Sequence, residues 1–211
     1  MQLIGMLDSP YVRRVAISLR LLELPFEHRA VSVFTTFEQF QRINPVVKAP
    51  SLVCDDGEVL MDSTLILEYA EALSAPRRSL MPSGIAARQH ALRAIGLAVV
   101  ACDKTVQYVY ETNLRPVEKQ HQPWLDRVRG QLLAAYGALE LEMRREPMSA
   151  SRTGITQAGV TAAVAWSFGQ MMLPEIILAA EYPALRAFAA EAEQLEAFVA
   201  APPLGPGVVQ A

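Results

Sequence analysis

The chain has 211 residues, 52% hydrophobic and 19% charged, with a formal net charge of −3. This supplies a sizeable core for one or two domains and argues against disorder along most of the chain. A sequence pI near 5.7 and the lack of any basic run of five or more residues give no reason to expect nucleic acid as a partner.

The two cysteines, Cys54 and Cys102, lie far apart, and His28, His90 and His121 are isolated from one another. No metal-ligand spacing occurs, so a cytosolic, metal-free protein is the simplest reading. The start MQLIGMLDSP has no basic residue and carries Asp8 and Pro10 early, so a signal peptide is not expected.

In chain order, residues 2–6 (QLIGM) are a short apolar run that suits a buried strand. Ser9-Pro10 opens a helix. Val12, Val15, Ala16, Leu19 and Leu22 recur at helical spacing, Arg13, Arg14 and Arg20 fall largely off that stripe, and Leu24-Pro25 ends it. Residues 27–33 read as a second strand, and residues 34–45 as a short helix or irregular turn that stops before Pro45. SLVC and EVLM, split by Asp55-Asp56-Gly57, predict a β-hairpin. From Ser63, the spacing of Ile66, Tyr69, Ala70 and Leu73 predicts another helix. A βαβ unit followed by ββα gives a mixed sheet with helices packed on it.

Residues 74–84 (SAPRRSLMPSG) read as a linker, which places the domains at 1–76 and 85–211. The rest is helical in character. Residues 85–113 form one long segment. Residues 124–145 form another, with Leu125, Val128, Leu132, Leu133, Tyr136, Leu139 and Met143 on one side. From Thr153 to Pro174 no residue is charged, and that length would span a bilayer. Its threonines, glutamines, Ser167 and three glycines favour instead a helix buried by other helices, starting near Thr156. Shorter helical pieces follow, and the tail PPLGPGVVQA should be irregular.

SPYVRR after the first strand, NPVVKAPSLV near residue 50 and DSTLILEY at 62–69 precede a linker and an all-helical segment. Together they resemble the cytosolic glutathione transferases, nearest in kind to bacterial members with an amino-terminal serine. The resemblance covers nearly the whole chain. It implies an α/β thioredoxin-like N-terminal domain with a mixed four-stranded sheet, followed by an all-α helical bundle. It also implies a cytoplasmic homodimer of the detoxification type. Its co-substrate would be glutathione, its second substrate a small apolar electrophile in a cleft between the domains. Neither a metal, a nucleic acid nor a membrane belongs to that picture.

Serine at a helix N-cap with proline next is a preferred helix start in its own right. The same geometry lets a hydroxyl at the positive helix end donate to an anion. Lowering a thiol from a pKa of about 8.5 by two units needs roughly 2.7 kcal/mol of preference for the thiolate. A charge-assisted hydrogen bond of about 1.5–3 kcal/mol and a helix terminus of about 0.3–1 kcal/mol are adequate. The resemblance thus makes Ser9 the catalytic residue. It stabilises the glutathione thiolate without attacking, and needs no His or Asp partner.

Lys48-Ala49-Pro50 reads as a loop entering a strand. The resemblance makes the Ala49–Pro50 peptide cis and has the Ala49 backbone pair with the cysteinyl backbone of glutathione. Lys48 then either meets a carboxylate of the tripeptide or is a solvated surface lysine. Asp62 or Ser63 caps a helix. By resemblance, the Ser63 hydroxyl and nearby backbone N–H groups take the γ-glutamyl carboxylate and Asp62 its ammonium group. Glutamate is the commoner family residue at this position. The implied glutathione-binding set is therefore Ser9, Lys48, Ala49, Pro50, Asp62 and Ser63.

Arg13 and Arg14 either add positive field near the sulfur or lie on a solvated helix face, the latter being the default. Cys54 and Cys102 read as small core residues. Tyr108, Tyr110 and Trp166 either line the electrophile pocket or belong to the core. Family members usually begin a buried sixth helix with Ser/Thr-x-x-Asp. Thr156-Gln157-Ala158-Gly159 keeps the cap acceptor but puts glycine where the acid stands. A thiol-disulfide enzyme would need cysteine in place of Ser9. The remaining alternatives are a non-catalytic binding protein on the same fold and a glutathione-dependent isomerase or dehalogenase.

Overall fold

The computed structural model describes residues 1–205 and 207. It forms two compact units, Met1–Leu80 with Glu196–Gly207, and Met81–Leu195. Of the tail expected to be irregular, residues 202–205 belong to no helix or strand, while Pro206 and residues 208–211 lie outside the described residues.

The first unit is built on a four-stranded sheet of order β2-β1-β3-β4. β1 (Gln2–Ile4) leads through α1 (Pro10–Leu21) to β2 (Glu27–Arg29), which pairs parallel with β1. After α2 (Phe37–Ile43), β3 (Ser51–Val53) pairs antiparallel on the other side of β1, and the hairpin partner β4 (Val59–Met61) leads into α3 (Ser63–Ser74). Leu3 and Ile4 are adjacent on β1 and point to opposite faces. Both are fully buried, so the sheet is covered on both sides. Ile4 packs with Val31 and with Phe40 of α2. Leu3 and its register partner Leu52 serve the opposite face, and α1 and α3 pack on each other. The strands are shorter than the apolar runs suggest. β1 stops where Gly5 turns the chain with φ +141°, and beyond β2 the Val31 N–H folds back onto the Arg29 carbonyl at 3.0 Å.

The second unit is helical: α4 (Ile85–Asn113), α5 (Gln122–Arg145), α6 (Gln157–Met172) and α7 (Pro183–Ala192). The short α8 (Glu196–Val199) returns to the first unit. α4 is the described helix with the length and apolar composition to cross a membrane. It packs along both α5 and α6, and carries exposed Ile85, Leu92 and Val100 on its outer side. The uncharged stretch forms α6, buried on nearly every side by α4 and α7 as expected of an interior helix. Its polar side chains are satisfied internally. Thr161 Oγ1 donates to the Gln157 carbonyl at 2.7 Å, and Thr156 Oγ1 caps the helix by accepting from Gly159 N at 3.4 Å.

Gly159, in the first turn of α6, lies in close packing. A Cβ at Gly159 would lie 3.0 Å from Cζ of Phe188 and 3.1 Å from Cγ1 of Ile155. A side chain there would make Phe188 and Ile155 give way by a few tenths of an ångström. α7 is tied down from elsewhere. The Glu140 carboxylate on α5, 4% exposed, accepts from Ala184 N at 3.0 Å and Leu185 N at 2.8 Å.

Candidate functional site

One end of the sheet gathers the sequence-predicted residues. The register aligns Ile4 with Ser51 and Ser51 with Met61. Neighbouring strands lie about 4.8 Å apart, so Gly5–Ser9, Lys48–Pro50 and Asp62–Ser63 all emerge side by side. Two helix N-termini, those of α1 and α3, therefore start at the same edge. Each presents the positive end of a helix dipole.

Ser9 is the N-cap of α1, half-buried, with extended backbone angles (φ −73°, ψ 123°). Its Oγ accepts from Val12 N at 3.5 Å, a long bond. A hydroxyl is both donor and acceptor, so capping uses one half of the group and leaves its hydrogen to donate elsewhere. The peptide between Ala49 and Pro50 is cis. The loop before it is held by Asn44, which donates from Nδ2 to Ser51 Oγ at 2.8 Å and accepts from Val46 N at 3.0 Å. Lys48 is exposed, its Nζ 5.8 Å from the centroid of the Tyr11 ring. Asp62 is the N-cap of α3, with φ +68°; its Oδ1 accepts from Thr64 N at 2.8 Å. Ser63 follows as the first helical residue and is 4% exposed.

The arginines correct the sequence reading. Arg13 and Arg14 are each 2% exposed, not part of a solvated face. Arg14 Nη1 donates to Ser63 Oγ at 3.3 Å, linking the starts of α1 and α3. Arg13 Nε donates to the Ala201 carbonyl at 2.8 Å. Both partners are distant in sequence, which is why helical periodicity alone missed them.

Gly5 was also not singled out. A Cβ there would fall 2.6 Å from Cγ2 of Val12 and 3.4 Å from Cβ of Ala49, at a φ that L-residues avoid. Gly5 thus lets the α1 turn and the Ala49 loop approach each other. Gly5→Ala is expected to destabilise the chain by about 2–3 kcal/mol, read as a lower urea midpoint at unchanged slope.

The cysteines are free and buried. Cys54 follows β3 at the opposite sheet end from Ser9. Burial, against a hydrogen bond from Tyr69, raises its thiol above the ordinary value, which makes it a poor nucleophile. In the second unit Tyr108 is half-buried and Tyr110 is 38% exposed. Trp166 is 6% exposed and sits edge-on to Tyr136, with ring centroids 6.0 Å apart, and to Tyr182 at 5.9 Å. The structure places Trp166 in an aromatic cluster with Tyr136 and Tyr182.

A mixed four-stranded sheet with helices on both faces and a cis-proline turn at the edge beside α1 defines a thioredoxin-like domain, and an all-helical unit follows it. A family profile described as "Glutathione S-transferase, N-terminal domain" matches residues 3–78. The uncharacterized GST-like protein YibF of Escherichia coli (strain K12) is 34% identical over 74 residues, 35% of this chain and 37% of that protein. The chain thus matches about a third of the length of its curated relatives. Solved structures match throughout. A glutathione transferase family member from Pseudomonas fluorescens Pf-5, with bound glutathione, has a TM-score of 0.82 at 28% identity, over 97% of this chain and 99% of that one. A glutathione S-transferase from Methylobacterium radiotolerans, in complex with glutathione sulfonate, has a TM-score of 0.87 at 25% identity, over 100% and 98%. Residues 3–78 thus match a glutathione S-transferase N-terminal domain, and the whole chain shares the fold of solved glutathione transferases.

Proposed function

We propose that the chain is a glutathione transferase. It binds glutathione at the sheet edge that carries Ser9, Ala49 and Ser63, keeps the sulfur as thiolate, and promotes its attack on a small apolar electrophile. The observation that supports this most is the shared edge from which α1, the cis-proline loop and α3 all start. The glutathione bound by the Pseudomonas relative adds to it.

The roles follow from the chemistry of each group. The Ser9 hydroxyl, capping through its oxygen, donates its hydrogen to the sulfur. The backbone of Ala49, exposed by the turn at Pro50, pairs with the cysteinyl backbone as an added strand. The start of α3, with Ser63, receives the γ-glutamyl carboxylate, and the Asp62 oxygen not bound to Thr64 takes the ammonium group. Lys48 faces a carboxylate of the tripeptide. In the reaction the sulfur lone pair forms a C–S bond as the leaving group departs with its electron pair. Orientation and thiolate stabilisation supply the rate. Tyr108 and Tyr110 are the aromatic groups left to meet the electrophile. The protein works as a cytoplasmic homodimer.

The test is conjugation of glutathione to an activated aryl chloride by the purified chain. Saturable turnover above the uncatalysed rate is expected. Heat of glutathione binding without turnover would replace this reading with a non-catalytic binding protein, and neither heat nor turnover from folded protein would end it.

A further inference from the structure

Far along the sequence, the chain comes back to the helix that carries Ser9. Phe198 of α8 is fully buried, and the guanidinium of Arg13 lies 5.7 Å from its ring centroid. Arg13 Nε also donates to the Ala201 carbonyl at 2.8 Å, within a stretch where Ala201 is 1% exposed. Gly207 then donates its N–H to Asp8 Oδ2 at 2.8 Å. The approach is close enough that a Cβ on Gly205 would clash with the Asp8 carboxylate, and Gly207 has a φ of +68°. Both glycines of LGPG are therefore used to bring the chain onto Asp8.

The two gripped residues bracket the cap. Asp8 immediately precedes Ser9, and Arg13 follows it by one helical turn. The Ser9 carbonyl accepts from Arg13 N at 2.9 Å and its Oγ from Val12 N at 3.5 Å, so the first turn of α1 is fixed from both ends. The grip also directs charge. A carboxylate beside a group meant to hold an anion opposes it, and here an Asp8 oxygen is committed to the Gly207 N–H.

We infer that residues Phe198, Ala201 and Gly207 form a strap that sets the orientation of the Ser9 hydroxyl, with Asp8 and Arg13 as positioning residues. The inference rests on the reading of Ser9 proposed above. It predicts that loosening the strap at Gly207 or at Asp8 has the same consequence, because one contact is broken from either side.

The experiment compares Asp8→Ala, Asp8→Asn, Gly207→Pro and the double variant Asp8→Ala/Gly207→Pro in the full chain. Proline removes the donor and cannot adopt a positive φ. Asparagine keeps an acceptor. Both Asp8→Ala and Gly207→Pro should lower kcat/KM about threefold and raise the midpoint of its pH profile by about half a unit, with KM for glutathione nearly unchanged. Asp8→Asn should stay close to the parent, and the double variant should be no worse than either single change. Amide hydrogen exchange at Val12 and Arg13 should quicken in both single variants. Additive losses in the double variant, unchanged exchange in both singles, or a pH midpoint that falls in Asp8→Ala would each overturn the strap. A midpoint that falls there would mean Asp8 acts only through its charge. The anchors Phe198, Ala201 and Arg13 are untouched, and circular dichroism confirms folding. Should one variant misfold, exchange in the other decides. If the parent shows no turnover, the transferase reading fails while the exchange result still judges the strap.

Discussion

Ser9→Ala is expected to reduce kcat/KM for glutathione conjugation about 30-fold near neutral pH. The basis is the loss of one charge-assisted hydrogen bond of about 2 kcal/mol. The same loss raises the midpoint of the pH profile by about 1.5 units, because the hydroxyl favours only the ionised sulfur. At high pH, where free glutathione is itself ionised, the two proteins should converge. Stability should change little. The cap bond from Val12 N is long, at 3.5 Å, so its removal costs at most about 1 kcal/mol. Ser9→Thr keeps the hydroxyl and should retain most of the activity. A folded Ser9→Ala protein with the parental rate and pH profile would remove the serine from the mechanism and leave the helix cap as its whole role.

The features that were legible in the sequence are those whose causes are local. α4 runs from Ile85 to Asn113 because few breakers interrupt that stretch, and the caps at Ser9, Asp62 and Thr156 follow from side chains that bond to backbone N–H groups two or three residues on. The hairpin β3-β4 was readable from Asp55-Asp56-Gly57 for the same reason. Where the cause is remote, the sequence is silent. Arg14 reads as a surface residue until Ser63, 49 positions away, accepts from it, and Arg13 until Ala201, 188 positions away, does so. Gly159 reads as a missing capping acid until Phe188 and Ile155 are seen to pack close beside it. The site divides along the same line. Its helix starts could be found by pattern, but their arrival at one edge depends on the pairing of β1 with β3 across nearly fifty residues.

Glu140→Ala should be the most destabilising of these substitutions, at about 3 kcal/mol. The carboxylate sits 4% exposed on α5 and accepts from Ala184 N and Leu185 N, two first-turn N–H groups of α7 that have no intrahelical acceptor. Each buried donor left without a partner costs about 1–3 kcal/mol. Arg144 adds a 2.8 Å bond from Nε, but its side chain is 54% exposed, so its share is about 0–1 kcal/mol. Glu140→Gln separates shape from charge. Burial pushes the Glu140 carboxyl up, but the N–H groups of Leu185 and Ala184, and then Arg144, outweigh it and hold the group below its ordinary value of 4.5. A lowered folded-state pKa means that the stabilisation is complete above the ordinary value and is lost as pH falls through the folded-state value. The stability gap between the parent and Glu140→Gln, measured by urea unfolding, should therefore be full at neutral pH and shrink once the pH drops below the carboxylate's ordinary value. A gap that holds constant into acid would mean that the charge on Glu140 contributes nothing to the start of that helix.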